Sequence, residues 1–278
     1  MMNIATLSGL MISALVLAAA GCERAADDPA AVKEPSHQED APAPPAHAET
    51  GHPNWGYDGD GGPAHWGDLA PEYAVCAAGK AQSPIDLIAA AVTDSAPVSV
   101  HYQPSPLVIL NNGHTVQVNV SPGSTLNNGS GEFALLQIHF HTPSEHTING
   151  ARFPLAAHFV HRGSNGGLGV LGVLFEEGAV NEGLQVLINN LSTEVSEPRT
   201  IDGVEWNPAA LLSDDLSVYR YSGSLTTPPC SEGVGWNVLS DVQQASAEQI
   251  AALSMVMGAN ARPVQALNGR SLQAPASE

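Results

Sequence analysis

The 278-residue chain is poor in basic residues and in cysteine, and it lacks a long apolar run at its N-terminus. Nine lysines and arginines stand against 28 aspartates and glutamates. This excess of negative charge excludes nucleic acid as a partner, because phosphate binding needs a positive surface. Three cysteines exclude a disulfide-rich scaffold and leave room for one bridge. The apolar run at residues 10–20 is too short for a membrane-spanning helix.

The first 22 residues predict an export signal and not a part of the fold. The apolar run ends in four small residues, 18–21, directly before Cys22. This pattern resembles a bacterial lipoprotein signal, in which Cys22 would be lipidated and would anchor the mature protein to a membrane of the cell envelope. The alternative is an ordinary cleaved signal with a cysteine nearby. Both interpretations predict a protein exported from the cytoplasm, to the periplasm or cell envelope.

Residues 23–52 predict a disordered spacer between this signal and a folded domain. They are rich in alanine, proline and acidic residues and contain no aromatic residue. Such a segment cannot bury enough apolar area to offset the entropy lost on ordering. We therefore expect one domain over residues 53–272, with a short C-terminal tail at 273–278.

Within this domain, short runs of β-favouring residues alternate with glycine- and asparagine-rich turns. Frequent short strands of this kind indicate a mainly β architecture with a few helices. Ser246 is a suitable N-cap for the second of two segments with helical apolar spacing. The predicted strands cover residues 98–102, 107–110, 115–120, 133–141, 155–161 and 168–175, and the predicted helices cover residues 180–191 and 247–256.

One predicted strand contains a candidate metal site. Side chains alternate along a strand, so Gln137, His139 and His141 share one face, while the apolar residues between them point the other way. A third ligand could come from His158 or His161 if residues 156–161 form the neighbouring strand. Three histidines with an open fourth position are typical of catalytic zinc. The alternative is a pair of buried, hydrogen-bonded histidines without a metal.

A second motif lies further along, in the sequence SLTTPPC at residues 224–230. Two prolines stiffen this loop by fixing φ, so that it can present a threonine hydroxyl in a defined direction. Such a hydroxyl can orient a nucleophilic oxygen when an acceptor controls its proton. A plain proline-rich turn is the alternative for this motif taken alone.

The ordered set of motifs resembles the α-class carbonic anhydrases over residues 55–270. The resemblance implies a single domain built around a large, mostly antiparallel, twisted sheet with surface helices. It also implies an enzyme that uses Zn²⁺ to interconvert carbon dioxide and bicarbonate. The matching segments are Trp55–Tyr57, Gln82–Ile85, Asn111–His114, Gln137–His141, Ser144–Thr147, His158–His161, Ser224–Pro229 and Arg262–Gln265.

The resemblance also implies roles for individual residues. His139, His141 and His158 would bind zinc and leave a fourth position to water, with Gln137 holding the first of them. His161 would then lie on the opposite face of the strand from His158, and we expect it to point away from the metal.

The remaining implied roles concern proton control, substrate and a disulfide. Glu145 would accept the hydroxyl proton of Thr226, which in turn would orient the attacking oxygen, and His114 would shuttle protons. Cys76 and Cys230 resemble the cysteine pair that forms a bridge in bacterial members. The residues matching the substrate pocket are Val160, Val170, Leu225, Thr227, Val234 and Trp236. We expect His146, beside Glu145, to be structural.

One position departs from the family pattern. Family members carry a glutamate two residues before the third ligand, where it accepts the other ring proton of that histidine. Here the position is Ala156. We expect a looser metal site or a water in place of the carboxylate, because losing such a partner typically costs roughly tenfold to a hundredfold in affinity or activity.

These motifs leave three functional hypotheses. The leading one is an exported zinc lyase that hydrates carbon dioxide. The others are a non-enzymatic binding protein with the same fold, and a zinc-dependent esterase. The presence of all three histidines, together with Glu145 and Thr226, favours an enzyme over a binding protein.

Overall fold

The computed structural model describes residues 54–88 and 93–275. The predicted signal at 1–22, with Cys22, and the whole of the predicted spacer at 23–52 lie outside the described residues. No helix in the described ranges is long and apolar enough to cross a membrane.

Strands dominate the described part of the chain. The strands are β1 (Asp86–Leu87), β2 (Thr93–Ser95), β3 (Ser99–His101), β4 (Ser105–Asn111), β5 (Val116–Asn119), β6 (Thr125–Asn127), β7 (Glu132–His141), β8 (Thr147–Ile148), β9 (Ala151–Arg152), β10 (Leu155–Gly163), β11 (Leu168–Glu177), β12 (Arg199–Trp206), β13 (Val218–Ser224), β14 (Glu232–Leu239), β15 (Gln243–Ala245) and β16 (Gln273–Pro275). The helices are α1 (Trp66–Leu69), α2 (Val75–Ala78), α3 (Glu182–Ile188) and α4 (Ala247–Met257), and three 3₁₀ turns cover Gly59–Gly61, Pro71–Tyr73 and Pro208–Leu211.

Thirteen of these strands form one large twisted sheet. Its main path runs β12-β4-β5-β7-β10-β11-β14-β13-β16-β2, with β15 beside β11 and β6 between β3 and β7. Most neighbours are antiparallel, but β11 pairs in parallel with β14 and β15, as β16 does with β2. The prediction of a mainly β domain with a few helices is therefore confirmed, and the sheet is mixed. A small second sheet contains β1, β8 and β9.

The six predicted strands are present with shifts of at most two residues at their ends, and the two predicted helices are also present. Helix α3 is shorter than predicted because Asn181 caps it, its side chain accepting a hydrogen bond from the Leu184 amide. Helix α4 begins at Ala247 with Ser246 as its N-cap, as predicted, and Gln249 completes a capping box. Strand β16 begins at Gln273 and joins the sheet, so the fold extends past the domain boundary predicted at residue 272.

The central strands β7 and β10 separate two apolar clusters. Ile138 and Phe140 on β7 and Phe159 on β10 are fully buried in the larger cluster. On the opposite face, Ala156 and Trp236 belong to a smaller cluster. Because side chains alternate along each strand, the histidines between the buried apolar residues of β7 emerge beside this smaller cluster.

Candidate metal centre

Strand register brings the three predicted ligands together. His139 on β7 lies directly opposite His158 on β10, and His141 follows His139 on the same face of β7. One ligand atom from each of the three rings lies within 4.8 Å of the other two. His141 and His158 are buried, whereas His139 keeps part of its surface exposed. The arrangement therefore has three imidazole donors and one side open to solvent, which is the form of a catalytic metal site.

Hydrogen bonds at the outer nitrogens determine which nitrogen of each ring faces the centre. Nδ1 of His139 is 3.0 Å from Oε1 of Gln137, and Nδ1 of His141 is 2.8 Å from the carbonyl oxygen of Asn260. Because Nδ1 donates its hydrogen in each bond, Nε2 of each ring keeps its lone pair for a metal. For His158 the order is reversed, because its Nδ1 lies 3.8 Å from the same Glu145 oxygen that approaches Nε2 of His141 at 3.5 Å. Nδ1 of His158 is thus the inward nitrogen.

The surroundings favour the neutral form of His139 and His158, as metal ligation requires. Burial lowers the pKa of His139 well below its usual value, and the neighbouring His141 lowers it further. Burial also lowers the pKa of His158, with added repulsion from the other histidines nearby. A neutral ring offers a lone pair to a cation, so the donor set fits zinc in both geometry and protonation state.

Glu145 lies beside the centre and is completely buried. Its Oε1 accepts a hydrogen bond from the Arg262 amide at 2.9 Å, and a further hydrogen bond joins its carboxyl group to Thr226. Burial raises the pKa of Glu145, while His141, these hydrogen bonds and the Arg262 charge act in the opposite direction. A cation in the centre would also lower the pKa of Glu145 and favour its carboxylate form.

The loop carrying Thr226 lies between β13 and β14 and is fixed at several points. The Leu225 amide donates to the Ser231 carbonyl at 3.0 Å, and the Cys230 amide donates to the Thr227 carbonyl at 2.8 Å. Cys230 is joined by a disulfide to Cys76, in agreement with the predicted pairing. The loop is therefore held at both ends, as the stiffness of its prolines suggested.

The six residues predicted to line a substrate pocket lie near one another, on β10, β11, β14 and the same loop. Five of them belong to the smaller apolar cluster: Val160, Val170, Leu225, Val234 and Trp236. Thr227 is half-buried in the loop beside them. Together they form an apolar surface next to the polar histidine centre.

His114 lies in the turn after β4, with its ring stacked on that of Trp55 at a centroid distance of 3.9 Å and an interplanar angle of 5°. Its amide donates to the Asn112 side chain at 2.9 Å, and its carbonyl accepts from Asn260 at 3.0 Å. The ring is half-buried. The turn is therefore tied to the same asparagine that orients His141.

Two nearby histidines lie as expected from strand alternation and sequence context. His161 points to the opposite face of the sheet from His158, where its Nε2 is 2.8 Å from the Tyr102 hydroxyl. His146 is fully buried, and its Nε2 is 2.7 Å from the Tyr221 hydroxyl. Neither ring belongs to the three-histidine centre.

Ala156 is fully buried on the same face of β10 as His158. Nε2 of His158 is buried without a hydrogen-bond partner among the described residues. The Glu145 carboxylate does not replace the missing family glutamate, because it approaches the inward nitrogen of this ring and not the outer one. The departure noted in the sequence thus leaves an unpaired imidazole nitrogen behind the centre.

Sequence reasoning missed two residues that organise the site. Asn260 orients His141 through its backbone carbonyl, and no pattern of side chains in the sequence indicates such a contact. Arg262 donates its amide to Glu145 and its guanidinium to the carbonyls of Ser83 and Cys76, at 2.8 and 2.9 Å. The segment containing Arg262 is one of the matched motifs, so its position was visible in the sequence but its contacts were not.

The fold and the site together define a β-sheet protein whose three convergent histidines can hold a catalytic metal ion. Residues 61–276 match the family model described as eukaryotic-type carbonic anhydrase. A carbonic anhydrase of Pectobacterium carotovorum is 48% identical over 221 residues, which cover 78% of this chain and 89% of that protein. A carbonic anhydrase of a Nostoc species is 43% identical over 231 residues, covering 81% and 87%.

A solved structure agrees with these sequence matches. The α-carbonic anhydrase of Thermovibrio ammonificans, in complex with the inhibitor sulfanilamide, is 45% identical, with a TM-score of 0.77, and the match covers 80% of this chain and 100% of that one. The chain therefore belongs to the eukaryotic-type, or α-class, carbonic anhydrase family and is an enzyme of that family.

Proposed function

We propose that this protein is an exported, zinc-dependent carbonic anhydrase that catalyses the reversible hydration of carbon dioxide to bicarbonate and a proton. The convergence of His139, His141 and His158 beside the buried Glu145 carries the proposal. The three imidazoles would hold the metal through Nε2, Nε2 and Nδ1 respectively. Zinc bound there would supply a Lewis acid that makes water nucleophilic near neutral pH.

Glu145 and Thr226 would orient the attacking oxygen. A carboxylate can only accept hydrogen bonds, so the Thr226 hydroxyl must donate its proton to Glu145. The threonine oxygen would then be left as an acceptor for the O–H group of the attacking oxygen. The Arg262 amide fixes the position of the Glu145 carboxylate by donating a hydrogen bond to its Oε1. An acceptor in this position selects one orientation of an O–H group and directs the oxygen lone pair at the substrate.

The apolar surface formed by Val160, Val170, Leu225, Val234 and Trp236 would receive the substrate. Carbon dioxide is uncharged and apolar, so its binding requires an apolar surface beside the nucleophile and not a set of positively charged side chains. Trp236 is held in place by the hydrogen bond from its indole N–H to the Ser224 carbonyl at 2.9 Å.

His114 would carry the proton away. Regeneration of the nucleophile requires a proton to leave, and an imidazole can both accept and release a proton near neutral pH. The ring is half-buried, stacked on Trp55, and attached to a turn that Asn260 links to His141. This position would allow exchange with buffer, and the turn connects the ring to the residue that orients His141.

The proposed location outside the cytoplasm is supported by the signal-like sequence ending at Cys22 and by the Cys76–Cys230 disulfide. Lipidation of Cys22 would add attachment to a membrane of the cell envelope. Mass spectrometry of the mature N-terminus tests this part directly. An unmodified N-terminus beyond residue 22 would contradict the lipid anchor but would still be consistent with export.

The central experiment measures zinc content, carbon dioxide hydration and ester hydrolysis on the purified protein before and after chelation. We expect one zinc per chain, loss of hydration on chelation, and recovery when zinc is restored. His141→Ala should lose both metal and activity, whereas His65→Ala, at an exposed histidine, should keep both. Full zinc content in His141→Ala would contradict the ligand assignment.

The same measurements separate the alternatives. Folded, zinc-loaded protein without hydration or ester hydrolysis would indicate a binding protein. Ester hydrolysis without carbon dioxide hydration would indicate an esterase.

A further inference from the structure

A cavity of about 410 Å³ lies between β13, β14 and the segment that leads into β16. None of the three candidate metal ligands lines it. Its volume falls within the range of roughly 300–1,000 Å³ that small-molecule sites occupy. We refer to this cavity as the arginine pocket, because Arg220 and Arg270 both line it. It is a candidate binding site apart from the histidine centre.

The arginine pocket concentrates positive charge on an acidic protein. The chain has nine lysines and arginines and a net charge of -19. Arg24 and Lys33 precede the described ranges, so seven of the nine lie within them, and two of those seven line this one pocket. No aspartate or glutamate lines it. The local charge would therefore attract an anion that the rest of the surface repels.

Arg220 is half-buried and forms no salt bridge with a carboxylate of the described residues. Its Nε donates to Oδ1 of Asn237 at 2.8 Å, and its Nη2 donates to the Ala96 carbonyl at 3.0 Å. These two bonds fix the guanidinium plane and leave the hydrogens of Nη1 for a ligand. Burial lowers the pKa of Arg220, and no acidic neighbour offsets that shift. The pocket thus contains a partly desolvated cation that lacks a counter-ion.

Arg270 is held by backbone carbonyls and by an aromatic ring. Its Nη1 donates to the Ser222 carbonyl at 3.0 Å, and its Nε and Nη2 donate to the carbonyls of Leu267 and Ala266, each at 2.9 Å. The guanidinium carbon lies 5.6 Å from the centre of the Tyr221 ring. These contacts fix the position of the charge without neutralising it. Each terminal nitrogen keeps a second hydrogen, so Arg270 can also donate to a ligand.

Asn237 adds a buried donor to the wall of the arginine pocket. The residue is 1% exposed and lies opposite Arg220 in the register of β13 and β14. A guanidinium group can only donate, so the amide atom that faces Arg220 is the oxygen. The remaining atom, Nδ2, has no hydrogen-bond partner among the described residues. A buried N–H without an acceptor is costly, and the missing acceptor is of the kind that an anion supplies.

The other polar residues of the pocket narrow the class of ligand. Ser222, Ser271 and Gln273 contribute hydroxyl and amide groups, which both donate and accept and therefore suit the hydroxyl groups of a ligand. The planar guanidinium group matches the geometry of a carboxylate. A lone ion would occupy only a small part of a cavity of this volume. The lining is therefore complementary to an organic acid that carries hydroxyl groups.

We propose that the arginine pocket binds a small hydroxylated carboxylate of the sugar-acid class. Its carboxylate accepts from Arg220 and Arg270 and provides the counter-charge that both arginines lack. Its hydroxyl groups bond to the surrounding serine and glutamine side chains. Because the metal ligands take no part, the proposal is independent of the proposed zinc chemistry.

The test uses the Nε–H signal of Arg220 in the NMR spectrum of the isotope-labelled, zinc-loaded protein. We expect glucuronate to shift this signal saturably at constant pH and ionic strength. Glucose has similar hydroxyl groups without the carboxylate and should cause no shift. Acetate has the carboxylate alone and should bind more weakly than glucuronate by roughly tenfold. Absence of a response to glucuronate would overturn the proposal, and tighter binding of inorganic phosphate would overturn the ligand class.

Variants of the pocket check the assignment by calorimetry. Arg220→Lys keeps the charge but loses the planar donor pair, so glucuronate should bind more weakly by roughly tenfold or more. Asn237→Asp keeps the shape but supplies a carboxylate of its own to Arg220, and it should weaken binding similarly. Arg162→Lys is the matched control, at an exposed arginine outside the pocket, and should bind like the wild type. Carbon dioxide hydration should be unchanged in all three, which shows that they are folded. Wild-type affinity in both pocket variants would overturn the proposal.

A crystallographic measurement on the wild type does not depend on the folding of any variant. Crystals soaked in glucuronate should show its carboxylate within hydrogen-bond distance of Nη1 of Arg220. Glucuronate found only at the metal centre would place the binding elsewhere and reject the arginine pocket.

Discussion

The backbone carbonyl of Asn260 lies 2.8 Å from Nδ1 of His141, and this contact fixes which nitrogen of the central ligand faces the metal centre. The Asn260 side chain supports the contact from three directions. Its Oδ1 accepts from the Thr142 amide at 2.7 Å, and its amide group donates to the carbonyls of His114 and Phe140, each at 3.0 Å. One fully buried residue therefore couples a metal ligand to the turn that carries His114.

Replacing Asn260 by alanine should loosen both the His141 ring and the turn that carries His114. Its side-chain hydrogen bonds would be lost and buried backbone groups left unpaired, so we expect the free energy of unfolding to fall by about 1–3 kcal/mol. Zinc release should become faster because the His141 ring loses its fixed orientation. Urea unfolding and chelator kinetics measure the two effects. Asn189→Ala, at an exposed asparagine with a helical backbone conformation and one side-chain hydrogen bond, is the control and should change neither.

The site was predictable where it depends on alternation along a strand. His139 and His141 share a face because they are two residues apart, and the register that sets His158 opposite His139 follows once β7 and β10 are neighbours. The Asn260 contact was not predictable, because any residue has a carbonyl and only the tertiary fold brings this one to His141. The same holds for the reversed ring of His158, since a sequence does not specify which imidazole nitrogen faces inward.

The fold was predictable in its class and in six of its strands. The short pairings of β1, β2 and β16 were not, because strands of two or three residues carry too few positions to establish a period. Strand β12 was also not predicted, since most of its residues are exposed or half-exposed and give no continuous apolar face.

Removing the disulfide should destabilise the protein strongly. Cys76 and Cys230 are 154 residues apart, so the bond restricts a long loop in the unfolded chain, and its loss should cost on the order of 2–5 kcal/mol. Cys76→Ser combined with Cys230→Ser, compared with wild type by denaturant unfolding, measures this. The reduced wild type is the matched control and should behave like the double variant. Two free thiols in protein purified from the periplasm would contradict the pairing.

His114 should limit proton transfer more than attack on carbon dioxide. In weak buffer, His114→Ala should lower the maximal hydration rate by roughly tenfold to a hundredfold. Small imidazole buffers should restore part of that rate, because they replace the missing carrier. His101→Ala, at an exposed histidine elsewhere, is the control. An unchanged rate in weak buffer would contradict the shuttle role.

His161 should make stability depend on pH. Burial lowers its pKa to about 4, whereas an unfolded histidine titrates near ~6.5. The unfolded state therefore binds the proton more readily, and stability should be complete above pH ~6.5 and fall as the pH drops toward 4. The contribution of this one residue should be about 1.4 kcal/mol per pH unit within that window. His161→Gln should lack that component when urea unfolding of the metal-free protein is followed across the range, and identical slopes in both proteins would contradict it.

We expect Ala156 to influence how long the metal stays bound. His158 needs a partner for its outer N–H, and the described residues provide none. A glutamate introduced at position 156 would accept that hydrogen, so part of the cost of its burial would be offset by a charge-assisted hydrogen bond. Its negative charge would make the His158 ring a better donor to zinc.

We therefore expect Ala156→Glu to slow zinc dissociation by roughly tenfold or more, while carbon dioxide hydration continues. Ala156→Gln separates the two contributions, because its amide fills the space and accepts a hydrogen bond without charge. A release rate close to that of Ala156→Glu would assign the effect to orientation, and one close to wild type would assign it to charge. If zinc release from Ala156→Glu equals that of wild type while its crystal structure places the new carboxylate on Nε2 of His158, then the unpaired nitrogen does not limit metal retention in this protein.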